Sequence, residues 1–544
     1  ENNMGASDVF IRKASGLVRV VSPTDALMYA FLAPTIPYAY HYLIWGQALY
    51  PGADYYVASL YILTLYPVAA LYIYMSVAMP RSGGEYVYTS RIIHPFIGLL
   101  ASWGMVLGGG LNWSGSLASW GTMWGLGAGA VVQGLMTHNQ GLVDWGIAAG
   151  DPTTPFAWAH GALLILAAFF VMWLGTKWVM RFSWAITIVT WIMLGVYCYI
   201  AFTTTPAMVA ERMAALQGLD YNAILAQAEE AGWVRGVVAG PFGLATIGAG
   251  MTYVNLSVLG STYVANIAGE IKEVRKAQIL AQLGSLALFI FYWELFTTAT
   301  YSGLGLDLIQ SISTLWAAGT DKAAFGNLSF SPMAYFLTVY MTDNPILAQI
   351  AGPVGFYIIN FGGIMALGFG PIRNLFAYGF DGILPSFVCA VDKRGHAWGS
   401  VLLGCILALI IHTITTFTTW LVMIAHTIAV WMISWAIFGI AGMVFPFRRR
   451  DIFEKSPALV KHRIAGIPVV SILGFLTCII SAACAWLIVY PALTGAAAAL
   501  QSQYLLATIA FLFGVPTVIF WVSYAYHKSK GVPVELRFKE VPPD

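Results

Sequence analysis

The chain has 544 residues, of which 59% are hydrophobic and only 9% charged, with a formal net charge of +2 and a mean hydropathy of +0.75. Soluble globular domains carry about 25% charged residues, so the composition excludes a water-soluble enzyme or binding module and places the chain in a lipid bilayer. The basic residues are spread over many short loops, and no nucleic-acid partner is expected.

In chain order, residues 1–22 hold Arg12, Lys13 and Arg19 without the apolar core and cleavage site of a signal peptide, and are expected to stay in the cytoplasm. Twelve stretches long and apolar enough to cross a membrane follow. They lie near 26–48, 55–79, 96–122, 156–176, 182–203, 240–269, 278–302, 346–372, 397–416, 419–445, 466–491 and 502–526, and are numbered segments 1 to 12. With both termini inside, every Lys and Arg except Arg212, Arg235 and Lys322 falls on the cytoplasmic side, as the retention of basic residues there requires. The expected organisation is a cytoplasmic stretch 1–22, a five-helix repeat 23–203, an extracellular loop 204–237 with a short amphipathic helix, and a second five-helix repeat 238–445. A basic cytoplasmic loop 446–464, helices 11 and 12 over 465–527 and a cytoplasmic tail 528–544 complete it. The loop 79–95, with Gly83 and Gly84, is expected to turn and then run as a short interfacial helix.

Two of the twelve segments carry interruptions. Residues 31–40, FLAPTIPYAY, place Pro34 and Pro37 inside segment 1. A broken helix is tolerated at membrane depth only where it is buried in protein or lines a cavity. Residues 254–270, VNLSVLGSTYVANIAGE, place Ser257, Gly260 and Ser261 in the middle of segment 6, where Gly260 allows the chain to unwind. Each break alone is also what a packing kink would give. Segments 1 and 6 are corresponding members of two five-helix halves, however, and paired interruptions there are the sequence sign of an inverted-repeat carrier with a midplane site.

Three stretches then point to a family: MPRSGGEYVYTSRIIHPFIGLLASWG after segment 2, ANIAGEIKEVRKAQ closing segment 6, and PIRNLFAYGFDGILPSFVCAVDKRG after segment 8. In order and spacing the chain resembles the amino acid, polyamine and organocation (APC) transporter superfamily over about residues 16–445. The resemblance implies an all-α membrane protein of twelve transmembrane helices, built as a five-plus-five inverted repeat with two added C-terminal helices. It also implies a solute site between the broken centres of segments 1 and 6, with segments 3, 8 and 10 as its walls. Aligned on Asp25, the family's unwound glycines fall near Ile36, Pro37 and Tyr38; aligned on Gly269 and Glu270, the glycine of segment 6 falls on Gly260.

The chain also departs from the family pattern. APTIP stands where glycines let a carboxylate approach the backbone, and each proline removes one N–H donor. Thr262 replaces a glutamate, Thr190 stands near the place of a coupling lysine, and FYIINFGG at 356–363 lacks the hydroxyls of sodium-coupled relatives.

The expected substrate-binding residues are Pro34, Thr35, Ile36, Pro37, Tyr38, Asn112, Asn255, Ser257, Leu259, Gly260, Ser261 and Thr262. Asn112 and Asn255 are the preferred side-chain pair, since an amide at lipid depth bonds either to a ligand or across helices. Glu294, within YWELF of segment 7, reads either as an ion- or proton-coupling group or as a structural hydrogen bond near the outer interface. His41 reads as vestibule or packing, and His412 and His426 as structural rather than haem ligands. Nucleotide, protease and hydrolase signatures are absent, and no catalytic residue, cofactor or metal site is expected. The expected function is secondary transport of an amino acid, amine or similar small organic solute by alternating access, in the plasma membrane. The alternative is a non-transporting membrane subunit or solute sensor that retains the fold.

Overall fold

The computed structural model describes residues 15–34, 39–418, 424–494, 498–531 and Phe538, with 424–428, 491–494 and 498–505 described for their backbone only. Among these residues, ten helices are long and apolar enough to cross a membrane. They correspond to segments 2 to 5 and 7 to 12. Segments 1 and 6 are present as shorter pieces. The one sheet among the described residues is a two-residue hairpin, Arg463–Ile464 with Ile467–Pro468.

Segment 1 starts at Pro23, held by a reciprocal cap in which the Ser22 side chain accepts from the Asp25 N–H and the Asp25 carboxylate accepts from the Ser22 N–H. The helix Pro23–Leu32 then stops in a turn at Ala33 and Pro34, and a second helix, Ala39–Leu49, begins beyond the prolines. Pro34 cannot donate to the helical ladder, which is why it stops there. Thr35, Ile36, Pro37 and Tyr38 lie outside the described residues.

Segment 6 breaks three residues earlier than Gly260. Helix Leu244–Ala249 widens into a π-helical stretch, Gly250–Val254, and turns at Ser257 and Val258. From there the chain winds as a tighter 3-10 helix, Leu259–Asn266. The Ser257 hydroxyl donates to the Val254 carbonyl at 2.6 Å, reinforcing the 3.1 Å bond that this carbonyl accepts from the Ser257 N–H. Gly260 serves close approach rather than unwinding: a Cβ there would stand 2.8 Å from the Ala33 carbonyl oxygen and 3.0 Å from the Pro34 nitrogen.

Segment 3 is far longer than its hydropathy predicts, running from Pro95 to Met136 through π-helical stretches at Gly104–Leu111 and Gly121–Gly127. The run Gly108 to Gly110 allows close packing, since a Cβ on Gly109 would meet the Trp431 ring at 2.6 Å and one on Gly110 the Leu367 carbonyl at 2.8 Å. The loop 204–237, expected to hold one amphipathic helix, holds two, Pro206–Gln217 and Tyr221–Glu230, separated by left-handed Gly218. Arg212 ties the first of them to Asp343 through two bonds of 2.9 and 3.0 Å.

The loop after segment 2 forms a helix, Gly84–Ile92, every residue of which is buried, so it is a plug rather than the interfacial helix expected. Gly83 and Gly84 turn the chain into it with φ of 108° and 46°, and a Cβ on Gly83 would stand 2.7 Å from the Ala377 Cβ. Gly83→Ala therefore combines backbone strain with a clash, and is expected to cost about 1–3 kcal/mol. A fall in melting temperature of the purified protein would register it; an unchanged value would mean that the turn relaxes freely.

Candidate functional site

Two features meet the requirements of a site. The first is the contact between the two breaks. The Gly260 backbone lies directly against Ala33 and Pro34, so the interrupted ends of segments 1 and 6 face each other. Leu259, Ser261 and Thr262 are buried beside it, and the Thr262 hydroxyl donates back to the Leu259 carbonyl at 3.0 Å. Ser257 also accepts from the Trp293 indole of segment 7 at 2.9 Å. Asn112 is buried in segment 3. Asn255, just before the break, donates to Thr64 of segment 2 at 3.2 Å. Asn360 likewise bonds across helices, to the Leu117 carbonyl of segment 3.

Glu294 is placed elsewhere. Its carboxylate accepts from the Ser59 hydroxyl of segment 2 and is partly exposed, whereas its neighbour Trp293 points inward to Ser257. His41 is fully buried against the rings of Trp45 and Trp124, each centred 4.0 Å away. His412 faces Ser119 through Nδ1 and the Trp158 carbonyl through Nε2, and the side chain of His426 lies outside the described residues. Just beyond the first break, an aromatic cavity of about 10 Å³ is lined by Tyr40, Tyr197, Tyr292, Phe296 and Tyr335 among others. That is space for about one water molecule.

The second feature was not legible as a site in the sequence. The three stretches that carry the family resemblance, about a hundred residues or more apart, converge at one end of the bundle. The Gly83 N–H donates to the Asn266 carbonyl at 2.9 Å, and Ser82 bridges Ile267. Three carboxyl groups are buried there. Glu270 accepts from Arg373 in a charge pair and from the Thr176 hydroxyl, with both ionic side chains 3% exposed or less. Its carbonyl also accepts from the Val20 and Val21 N–H groups, tying the N-terminal strand of chain to the end of segment 6. Asp381 accepts from Arg91 at 2.7 and 2.8 Å and from the Tyr86 phenol at 2.7 Å. Glu85 has no arginine: it accepts from the Asn374 amide at 2.7 Å, and Asn374 in turn accepts from Asn266 at 2.7 Å. Burial pushes the Glu85 carboxyl up to about 7, against the opposing pull of its hydrogen bonds. The signal that could have found this floor was the presence, in each of the three stretches, of an acidic residue within two positions of a glycine.

A mostly helical chain with ten apolar helices among its described residues, and two more segments broken opposite each other, is a multi-pass membrane protein. A sequence model described as amino acid permease matches residues 28–513, and the chain belongs to that family, within the APC superfamily. Membership implies a secondary transporter of amino acids or similar solutes rather than an enzyme. A comparison with curated proteins gave no match.

Removing one member of a buried ion pair leaves the other uncompensated, at a cost of about 3–5 kcal/mol. Arg373→Met is therefore expected to destabilise the protein by that order, and Arg373→Met with Glu270→Leu to recover most of it. Chemical unfolding of the four members of the cycle measures the coupling. A double variant as unstable as the single one would mean that Arg373 acts through contacts other than Glu270, such as its stacking on Phe369 at 4.5 Å.

Proposed function

We propose that the chain is a carrier that moves an amino acid, amine or similar small organic solute by alternating access, with the solute held between the breaks of segments 1 and 6. The observation that carries this reading is the contact of Gly260 with Ala33 and Pro34. Two interrupted helices meeting in the interior offer main-chain N–H and C=O groups to a solute without a charged side chain. In this reading the segments form twelve crossings in a five-plus-five inverted repeat with two added helices, over the residue ranges expected from the sequence. Both termini and the buried helix Gly84–Ile92 face the cytoplasm of a plasma-membrane protein.

Pro34 to Tyr38, Leu259, Gly260, Ser261 and Thr262 supply the backbone side of the site, and Asn112 and Ser257 its side-chain hydrogen bonds. Asn255, bonded to Thr64, supports the break from behind, and Glu294 with Ser59 is retained as the coupling candidate on the outer flank. An aromatic surround of Tyr40, Tyr197 and Tyr335 favours an apolar or cationic solute over an anionic one.

The same close contact at Gly260 supports a second reading, a membrane subunit or solute sensor locked in one conformation. Uptake separates the two. In proteoliposomes, a panel of labelled amino acids, polyamines and nucleobases is expected to yield at least one solute with saturable uptake. Gly260→Trp should abolish that uptake, and Gly260→Ala should cut it at least tenfold, since its Cβ meets backbone atoms that cannot move aside singly. Uptake by none of the panel would favour the sensor, and wild-type rates in Gly260→Trp would remove the site from this place.

A further inference from the structure

Of the three carboxyl groups buried where the three stretches meet, two are matched by arginine and one is not. Glu85 is 0% exposed; its Oε1 accepts from Asn374 and its Oε2 has no partner. The titratable groups that face it are phenols, carried by its own helix and by three of the elements packed around it. They are Tyr72 of segment 2, Tyr88 of its own helix, Tyr263 of the 3-10 stretch and Tyr378 of segment 8. None is a cation at any pH. The arginines carried by those same elements, Arg91 and Arg373, are bonded to Asp381 and Glu270. A carboxylate in that position would have neither water nor counter-charge, and such a group stays neutral by keeping its proton.

We propose that Glu85 is a proton-binding site that latches this end of the bundle. With the proton on, helix Gly84–Ile92 stays docked between segment 8 and the 3-10 stretch. With it off, the new charge must reach water, and the helix loosens from both. On release the carboxyl O–H bond breaks, the proton passes to a water molecule and the electron pair stays on the carboxylate, so no co-reactant is needed.

At the same end of the bundle lies a cavity of about 20 Å³, lined by Arg81, Ser82, Val87, Arg91, Ala377 and Asp381 among others; Glu85 does not line it, so the helix has to loosen before the proton reaches water there. The cavity is large enough for a single water. The group's folded-state value, about 7, lies above the ordinary carboxylate range. Docking is therefore fully favoured in acid and weakens as pH rises through neutrality. The ligand is the hydronium ion of whichever compartment this end faces. The proton site stands on this geometry alone; its consequence for solute movement rests on the carrier reading.

Hydrogen exchange of the full chain in lipid nanodiscs, followed by mass spectrometry on peptides from 79–95 at pH 6 and pH 8, tests the latch without a solute. After correction for intrinsic exchange, protection of the 84–92 amides is expected to fall roughly tenfold between the two pH values, following the ionised fraction of a group titrating near 7. Glu85→Gln should remove the fall. Asn374→Leu should move it to higher pH, because the lost amide had favoured the carboxylate. A flat wild-type profile overturns the proposal, as does the same pH dependence in wild type and Glu85→Gln. If Glu85→Gln does not fold, the Asn374→Leu midpoint decides: unmoved, it overturns the proposal. Failure to find any transported solute would count against the carrier reading and leave the exchange result standing; active uptake with a flat exchange profile would do the reverse.

Discussion

The constraint on which this structure depends is that main-chain polar groups cannot be left open in hydrocarbon. Among the described residues, ten segments meet it by staying helical through most of their apolar length, with 3-10 or π stretches in segments 2 and 3. Segments 1 and 6 do not, and their loose ends are brought together in the interior, where Gly260 lets one backbone lie on the other. The local repairs are visible residue by residue. Ser257 takes up the Val254 carbonyl, Thr262 the Leu259 carbonyl, and the 3-10 winding of Leu259–Asn266 keeps the remaining donors bonded within the stretch.

Holding two broken helices in place needs rigid neighbours, and the converging stretches provide them. Segment 8 contributes Arg373, Asn374 and Tyr378, the loop helix Glu85, Tyr86 and Arg91, and the close of segment 6 Asn266 and Glu270. Each bond here joins elements about a hundred residues or more apart in the chain, so the floor forms only when the bundle is assembled. A buried ion pair adds little net stability, yet breaking one is costly. Such a floor therefore disfavours intermediate arrangements more than it deepens the folded state.

What could be read from the sequence was whatever is encoded locally. Hydropathy over about 20 residues marks the continuous helices, and the two segments without a continuous helix are those with Pro34 and Pro37, and with Ser257, Gly260 and Ser261, in their centres. Finer features depended on partners elsewhere. Gly260 looks like a hinge in the sequence and is a contact in three dimensions, because its neighbour, Ala33, lies more than two hundred residues away. Asn255 and Asn112 look alike as lipid-depth amides, but Thr64 on segment 2 fixes where Asn255 points. The length of segment 3, 42 residues from Pro95 to Met136, exceeds the roughly 20 residues that a bilayer span requires, so a count of spans ends it early.

The buried charges illustrate the same limit from the other side. Within the sequence, Glu85, Glu270 and Asp381 are three acidic residues near the ends of apolar segments, the usual place for a solvated side chain. Only the packing separates them: Arg373 and Arg91 reach two of the three, while Asn374, one residue beyond Arg373 on the same helix, reaches the third with a neutral amide. Successive residues on a helix point about 100° apart, so one turn of segment 8 presents a cation to one carboxyl and an uncharged donor to another. The difference between a fixed ion pair and a group that can exchange its proton thus comes down to the order of two adjacent residues, Arg373 and Asn374.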